Sequence, residues 1–376
     1  MSRESAGPAH ASAFVRELSV FDATMVVAGS MIGSGIFIVS ADIARQVNSP
    51  FWLLMVWVAT GLLTLVAALS YGELAAMFPG AGGQYVYLRE AFGPLTGFLY
   101  GWTLFLVIQT GTIAAVAVAF AKFLGVLVPW VSAKNRLIPF VIGGGAGGGG
   151  LDLSLTSQRL VAMLQVALIT YLNTRGVRTA KWVQNLFTVT KVGALALLAI
   201  VPFLGRANLQ AIEANFHGGH FFGEAPFSLG FLAIFGAAMV GSLFSADAWN
   251  NIGFAGEEVK DPQRTIARSM ALGTGIVLTL YCLANVAYLM LLPLHGSPDG
   301  ATILERGIQA ASEDRVGAAA LQVLFGDAGA AIMAIFVTIS AFGCNNSLIL
   351  AGPRLYYAMA RDHLFFKEAG LLNRHA

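Results

Sequence analysis

Charged residues are scarce in this sequence. Lys, Arg, Asp and Glu make up 11% of the 376 residues, whereas a soluble globular protein carries about 25%. Hydrophobic residues make up 57%, and the formal net charge is only +2. This composition excludes a disordered chain and an ordinary soluble enzyme, and so small a net charge excludes nucleic acid as a partner. We expect the solvent around the protein core to be lipid.

Cysteines are few and histidines are not clustered in apolar segments. Cys282 and Cys344 both lie in apolar runs, so we expect small buried residues and no disulfide framework. The six histidines fall in tails or loops, and His217 and His220 enclose two glycines that favour a flexible loop. A membrane-embedded enzyme needs a cluster of nucleophile, base or metal ligands. The sequence therefore predicts no enzyme, no metal site and no cofactor.

Long apolar runs are abundant. A transmembrane helix needs about 20 consecutive apolar residues, and eight runs of this chain qualify. The first run begins well inside the chain and lacks a small-residue cleavage motif, so no cleaved signal is expected. We predict an all-α integral membrane protein whose transmembrane domain, residues 20–353, lies between tails at 1–19 and 354–376. The eight expected spans cover residues 20–45, 51–77, 94–128, 158–173, 181–204, 229–254, 267–293 and 326–352.

Lysines and arginines set the expected orientation. With the N-terminus inside, thirteen of them fall in inner segments and seven in outer segments, and Lys122 and Lys191 lie within spans. Cytoplasmic loops of membrane proteins carry the excess of basic residues. We therefore expect a multi-pass protein of the plasma or inner membrane with both termini in the cytoplasm.

A glycine-rich stretch, residues 143–150, falls in an expected outer loop. Glycine tracts stay flexible because ordering them costs the most backbone entropy. A phosphate-binding loop would need a preceding strand and a following Gly-Lys-Ser/Thr, and the sequence predicts neither. We interpret the stretch as a linker.

The first span contains too many glycines for a regular helix. Gly29, Gly33 and Gly35 each weaken a helix by about 1 kcal/mol relative to alanine. Close helix packing explains the pair Gly29 and Gly33. It does not explain Gly33 and Gly35, which lie on different faces of a helix. We therefore predict an unwound segment, whose bare peptide groups must line a cavity or be covered by protein.

The sixth span is interrupted as well. Residues 241–251 are polar where a plain helix would be apolar, and Asp247 lies near the middle of the membrane. A carboxylate at that depth indicates a functional site. Two interrupted spans that lie five apart predict a five-plus-five inverted repeat with a central binding site. Broken helices present N–H groups to an anion and carbonyl groups to a cation, which favours amino acids as substrates.

Lys191 is a single cation inside the fifth span, and two interpretations remain open. Its ammonium group could extend to the membrane surface, although it lies about two turns inside Lys181 and Trp182. Alternatively, the ammonium pairs with backbone carbonyls of the broken first span. There it would take the place of a sodium ion and could lose its proton during transport.

Five stretches, in order along the chain, resemble the amino acid–polyamine–organocation superfamily. The closest resemblance is to amino acid permeases of the L-type amino acid transporter group and their bacterial relatives. The matching stretches are Gly33–Phe37 (GSGIF), Tyr71–Leu74 with Pro79–Tyr85, Asn173–Val177, Glu257–Pro262 and Arg354–Asp362, the last of which resembles the loop after span 8. The resemblance implies a LeuT-like inverted-repeat fold with helices 1 and 6 discontinuous. That family has about twelve spans, so this chain is expected to be C-terminally short, truncated after about eight spans.

The resemblance also implies roles for individual residues. Ser34 and Gly35 would give N–H groups to the substrate carboxylate, and Met31 and Phe244 would offer carbonyls to its ammonium. The Phe244 ring would also act as a gate, and Lys191 would replace an ion or couple transport to protons. The implied substrate-binding set is Met31, Ile32, Gly33, Ser34, Gly35, Phe244, Ser245 and Asp247.

Two departures from the L-type pattern leave substrate preference open. Asp247 and Ala248 stand where glycine is usual, so they narrow the pocket and add a charge that a cationic amino acid could use. We expect a sodium-independent permease or exchanger that works by alternating access, with an amino acid and the lipid bilayer as partners and no accessory subunit. The alternative is a non-transporting fragment, or an amino-acid-binding remnant without the last four helices.

Overall fold

A computed structural model of the protein describes residues 16–142, 151–175, 177–217, 219–223 and 228–371. The expected linker, residues 143–150, lies outside the described residues, as do Gly176, residues 1–15 of the N-terminal tail and residues 372–376 of the C-terminal tail. Helices account for most of the described chain, in agreement with the predicted all-α class. The α-helices are α1 (Val20–Met31), α2 (Val39–Val47), α3 (Pro50–Met77), α4 (Gln84–Phe92), α5 (Pro94–Thr103), α6 (Thr110–Leu127), α7 (Ser157–Asn173), α8 (Val177–Ile200), α9 (Leu209–Phe216), α10 (Leu229–Ser245), α11 (Pro262–Leu291), α12 (Ile303–Arg306), α13 (Val316–Phe325) and α14 (Asp327–Arg361).

Short helical turns of other types connect or extend these helices. A π-helical turn, Leu104–Gln109, joins α5 to α6 within one span. Such turns are rare and occur frequently at functional sites. The 3₁₀ turns are Gly35–Phe37, Val201–Leu204, Trp249–Gly253, Gly256–Glu258, Ser312–Asp314 and Lys367–Gly370.

Four short strands precede α7, where the sequence predicts none. They are β1 (Arg136–Ile138), β2 (Val141–Ile142), β3 (Leu151–Asp152) and β4 (Leu155–Thr156). Strand β1 pairs antiparallel with β4, and β2 pairs antiparallel with β3. Strands of two or three residues carry no clear alternation of apolar and polar side chains, so the sequence gives no signal for them.

Five helices in the described part of the chain are long and apolar enough to cross a membrane. They are Pro50–Met77, Pro94–Leu127, Trp182–Leu204, Pro262–Leu291 and Asp327–Arg361. The remaining predicted spans correspond to shorter helices. The first and sixth spans are each divided, so that α1 and α10 are only 12 and 17 residues long, and α7 in the fourth span has 17 residues.

Helix α14 is longer than the sequence predicts. The apolar run predicts that the eighth span ends at residue 352 and that a cytoplasmic tail begins at residue 354. The helix instead continues through Pro353 to Arg361. Proline removes one backbone hydrogen bond, and this long helix has enough packed surface to tolerate the loss: Leu355 and Met359, which follow the proline, are buried.

The core of the protein lies around α11. This helix packs against α1, α3 and α8, while α14 packs against α6 and α8. Gly273 permits the close approach of α11 to α1, since a Cβ there would lie 2.6 Å from Val27 Cγ1. Small residues at such crossings increase van der Waals contact between helices in a membrane. The tightly packed α11 therefore holds both halves of the first span in place.

A buried ion pair ties the chain together at one end of the helices. Arg354 on α14 lies 2.7 Å from the carboxylate of Glu258, which is 1% exposed. The Glu258 carbonyl accepts hydrogen bonds from the N–H groups of Glu17 and Leu18, at 3.0 Å each. Burial raises the pKa of the Glu258 carboxyl, and the Arg354 guanidinium opposes part of that rise. We call these four residues the inner strap, because our expected orientation places them on the cytoplasmic side.

We predict that Arg354→Met destabilises the protein by about 3 kcal/mol, because it leaves a buried carboxylate without its partner. The measurement is thermal unfolding of the purified protein in detergent. Arg136→Met is the matched control. This variant breaks the ion pair between Arg136 and Asp152, whose side chains are 53% and 41% exposed, respectively. The resulting loss of stability should be below about 1 kcal/mol. Equal losses for both variants would show that the inner strap is no stronger than a surface pair.

Candidate functional site at the two helix breaks

The first span breaks where its glycines are concentrated. Helix α1 ends at Met31, the backbone becomes extended at Ile32, and α2 begins only at Val39. A Cβ at Gly35 would lie 2.8 Å from the Cβ of Ser245. Real Cβ atoms do not approach other atoms this closely, so only glycine lets the first break touch the sixth span. The predicted interruption is therefore present, and it directly contacts the second one.

The sixth span breaks after Ser245. Ala248 adopts a left-handed conformation with φ 70°, and a 3₁₀ turn continues the chain from Trp249 to Gly253. A non-glycine residue in that conformation costs about 1 kcal/mol. Glycine would adopt this conformation without that cost. Asp247 lies between the two helical pieces of the span.

Lys191 is 2% exposed, and its ammonium group lies against the first break. The Nζ atom donates to the carbonyls of Gly29 at 2.5 Å, Ile32 at 2.8 Å and Ser340 at 3.4 Å. The geometry agrees with the second interpretation of this lysine, in which it pairs with backbone carbonyls. The side chain does not extend to the surface, since the whole residue is buried.

Helix α14 supplies further donors to the first break. The Ser340 hydroxyl lies 3.0 Å from the carbonyl of Ile32 and 3.1 Å from that of Gly33, and Cys344 Sγ lies 3.1 Å from the Ser30 carbonyl. Ser340 has no role in the sequence analysis. The sequence signal of Ser340 is weak: it lies four residues before Cys344, on the same face of an apolar helix.

Tyr281 on α11 joins the two breaks. Its hydroxyl lies 3.0 Å from the Met31 carbonyl and 3.1 Å from the Ser245 carbonyl. Asn285 and Tyr288 lie one and two turns further along α11. The Asn285 side chain accepts from the Ser40 hydroxyl, and the Tyr288 hydroxyl donates to the Ile36 carbonyl at 3.3 Å. These three α11 residues were not predicted from the sequence, although their spacing of four and three residues places them on one helix face.

The Met31 carbonyl is therefore already engaged. It accepts from the Tyr281 hydroxyl and also from the N–H of Gly33 at 2.9 Å. By contrast, the N–H groups of Ser34 and Gly35 have no acceptor within the described residues. Both residues are half-buried. The first break thus keeps its carbonyls occupied and two of its N–H groups available.

The expected gate, Phe244, lines one cavity at the sixth span, and the expected carboxylate, Asp247, lines two. Phe244, 57% exposed, and Asp247 face a cavity of about 470 Å³ that also touches Leu63 and Thr64 on α3. Asp247 also borders a polar cavity of about 190 Å³. The polar side chains around this second cavity include Gln84, Tyr100, Gln109, Thr112, Asn250 and Asn251.

Asn251 is buried, and its Nδ2 atom has no hydrogen-bond partner in the described part of the chain. No role was predicted for this residue, whose sequence signal is its place in the polar segment 241–251. A buried amide donor without an acceptor costs about 1–3 kcal/mol. The polar cavity beside it is thus suited to a ligand that offers an acceptor.

Apolar helices surround two helix breaks that contact each other, an arrangement typical of inverted-repeat membrane transporters. The chain belongs to the amino acid permease family, whose model matches residues 18–367. It is therefore a multi-pass membrane protein, as predicted.

Named relatives agree with this assignment. The chain is 26% identical over 353 residues to the b(0,+)-type amino acid transporter 1 of Mus musculus, covering 92% of this chain and 63% of that protein. It is 31% identical over 356 residues to the large neutral amino acids transporter small subunit 2 of Oryctolagus cuniculus, covering 93% and 58%. The chain thus spans about three fifths of these relatives, both of which are transporters by name.

A solved structure supports the fold. The structure of Mhp1, a nucleobase-cation-symport-1 family transporter in a closed conformation with bromovinylhydantoin bound, matches with a TM-score of 0.54. The sequence identity is 14%, and the match covers 97% of this chain and 72% of Mhp1. At this identity the likeness shows the architecture alone.

We predict that Lys191→Met destabilises the protein by about 2 kcal/mol even without substrate, because buried carbonyls of the first break lose their donor. Thermal unfolding in detergent measures the effect. Lys367→Met is the control, since Lys367 is exposed in a 3₁₀ turn after α14. A Lys191 variant as stable as this control would mean that the break does not depend on the ammonium group.

Proposed function

We propose that this chain is a secondary transporter that moves amino acids across the cytoplasmic membrane by alternating access, as a permease or an exchanger. The observation that carries the proposal is the pair of available N–H groups at Ser34 and Gly35, of which Gly35 packs against Ser245 at the carbonyl end of α10. Together they suit a molecule with a carboxylate and an ammonium group. Family membership supports the same substrate class.

In the proposed complex, the substrate carboxylate accepts from Ser34 and Gly35, and Gly33 permits the unwound backbone. The ammonium group faces the carbonyls of Met31 and Phe244. Because the Tyr281 hydroxyl holds the Met31 carbonyl in this structure, it has to release that carbonyl as the ammonium binds. The exposed Phe244 ring then covers the substrate as a gate.

The other residues of the predicted set position the backbone. The Ile32 carbonyl is held by Lys191, and the Ser245 carbonyl is held by Tyr281. Neither carbonyl is therefore proposed to bind substrate in the state described here. Their role is to fix the two breaks so that Ser34 and Gly35 face the end of α10.

Asp247 supports a second substrate class within the same function. Its carboxylate has no ion pair within the described residues and borders both cavities of the sixth span. A carboxylate in such a site favours a cationic side chain by direct attraction. The substrates to compare are thus neutral amino acids and cationic amino acids.

The expected absence of an accessory subunit stays a prediction, as does the cytoplasmic position of both termini. One relative carries the words small subunit in its name. Co-purification of the chain with a second membrane protein would contradict a transporter that works alone.

We predict that Gly35→Ala lowers amino acid uptake into proteoliposomes at least tenfold, because the added methyl group collides with Ser245 and distorts the carboxylate site. Radiolabelled neutral and cationic amino acids serve as substrates, and preloaded vesicles test for exchange. Gly236→Ala is the matched control, since a Cβ at Gly236 on α10 meets open space.

Three outcomes separate the hypotheses. Uptake by the wild type that is lost in Gly35→Ala and kept in Gly236→Ala supports the site. Uptake unchanged in Gly35→Ala contradicts the carboxylate assignment. Saturable binding by the wild type without any uptake would favour the alternative, a chain that binds amino acids and does not transport them.

We also predict that uptake is the same when choline replaces sodium in the external buffer. The Lys191 ammonium lies between the Gly29, Ile32 and Ser340 carbonyls, where a sodium ion would otherwise find oxygen ligands. The measurement is the initial rate of uptake at equal ionic strength. A strict sodium requirement would contradict the proposed role of Lys191.

A further inference from the structure

A polar cleft of about 700 Å³ lies at the end of α6, away from the helix breaks. Its walls come from the end of α6, the loop that follows, the start of α7 and the segment between α12 and α13. The side chains that matter for its chemistry are Lys122, Lys134, Glu313 and Arg315. Three of them are cations and one is an anion, so the cleft carries a local excess of positive charge.

The single carboxylate does not satisfy these cations. The Glu313 Oε2 atom lies 2.6 Å from Arg315 Nη2 and 3.4 Å from Lys122 Nζ. A single carboxylate oxygen therefore pairs with both cations. Lys134 has no ion pair within the described residues. The Nε atom of Arg315 is buried and has no hydrogen-bond partner among the residues that the structure describes. The exposed Lys134 ammonium is therefore available to an anion, whereas the Arg315 guanidinium lies over the Phe123 ring and its buried Nε atom is closed to the cleft.

Glu313 reaches its position through a strained backbone. Its φ is 52° and that of Asp314 is 59°, both left-handed. Each such residue costs about 1 kcal/mol, and the strain persists only where surrounding contacts fix it. The Asp314 carboxylate is fixed by Arg45 on α2 at 2.7 Å. The backbone thus holds the Glu313 carboxylate among the cations of the cleft, where it acts as an internal anion.

Apolar side chains surround this part of the molecule. Val126 and Leu127 at the end of α6 are 36% and 38% exposed, and Trp130 in the next loop is 53% exposed. Exposed tryptophan beside apolar helix ends is typical of the boundary between lipid and water. The cleft therefore lies at the depth of lipid headgroups.

We propose that this cleft binds a phosphate-type oxyanion, carried by an anionic phospholipid headgroup or by a free phosphate ion, and that Glu313 competes with it for Lys122 and Arg315. The donor that the cleft leaves open is the Lys134 ammonium, and Lys122 and Arg315 become available where the oxyanion displaces Glu313. Its position at the membrane boundary favours the lipid as the source. The proposal is independent of substrate transport at the helix breaks.

The decisive variant is Glu313→Gln, because it removes the competitor and should strengthen binding. Native mass spectrometry of the full chain in detergent measures bound phosphatidylglycerol against phosphatidylcholine, and a thermal shift titration measures inorganic phosphate. We expect Glu313→Gln to tighten phosphatidylglycerol binding about fivefold and Lys134→Gln to weaken it about fivefold. A variant that gains affinity cannot be explained by misfolding.

Two exposed positions outside the cleft control for net charge. Asp299→Asn removes one negative charge in the loop after α11, and Lys367→Gln removes one positive charge after α14. Neither should change binding. A response to inorganic phosphate alone, with the same dependence on Glu313 and Lys134, supports the site and assigns it to the free ion. Equal effects of cleft and control variants, or no saturable binding of either probe, would overturn the proposal.

Discussion

Bare peptide groups inside a membrane must find partners, and this constraint organises the whole centre of the protein. Hydrocarbon offers no hydrogen bonds, so an unwound helix survives only where protein groups replace water. Here Lys191, Ser340, Cys344 and Tyr281 supply donors to the carbonyls between residues 29 and 33. The donors come from three different helices. The break is therefore a tertiary structure, assembled only when α8, α11 and α14 have packed around α1.

The same constraint explains why the break is asymmetric. The carbonyls of the first break are occupied, while the N–H groups of Ser34 and Gly35 are available. Ammonium and hydroxyl groups of the protein can donate hydrogen bonds to backbone carbonyls at a modest cost in free energy. A carboxylate placed permanently beside the two N–H groups would block an anionic ligand group. The structure thus keeps open the one position that the proposed substrate has to fill, and the occupied carbonyls hold it in shape.

Much of this arrangement could be predicted from the sequence, since the signals were unusual residues. Closely spaced glycines marked the first break, and a lone lysine in an apolar run marked its main donor. Asp247, a single carboxylate in an apolar run, marked the second break. A rare residue in an apolar setting requires an explanation, and here function is the simplest one.

The remaining features could not be predicted, because their residues are common in transmembrane helices. Tyr281 and Ser340 resemble ordinary packing residues until the fold places their hydroxyls beside open carbonyls. The continuation of α14 beyond Pro353 depends on buried contacts of Leu355 and Met359, which no local pattern reveals. The π-helical turn in the third span likewise has no sequence signal. These features depend on tertiary packing, so only the assembled structure shows them.

The length of α14 has a mechanical consequence. Ser340 and Cys344 hold the centre of the first span, and Arg354 holds Glu258 about 15–21 Å further along the same helix, at about 1.5 Å rise per residue. A tilt of this rod that frees the central peptide groups also displaces Arg354. Bending at Pro353, where one backbone hydrogen bond is missing, is the way to move one end without the other. The centre of the first span and the Arg354–Glu258 ion pair are therefore mechanically coupled through one helix, unless that helix bends at Pro353.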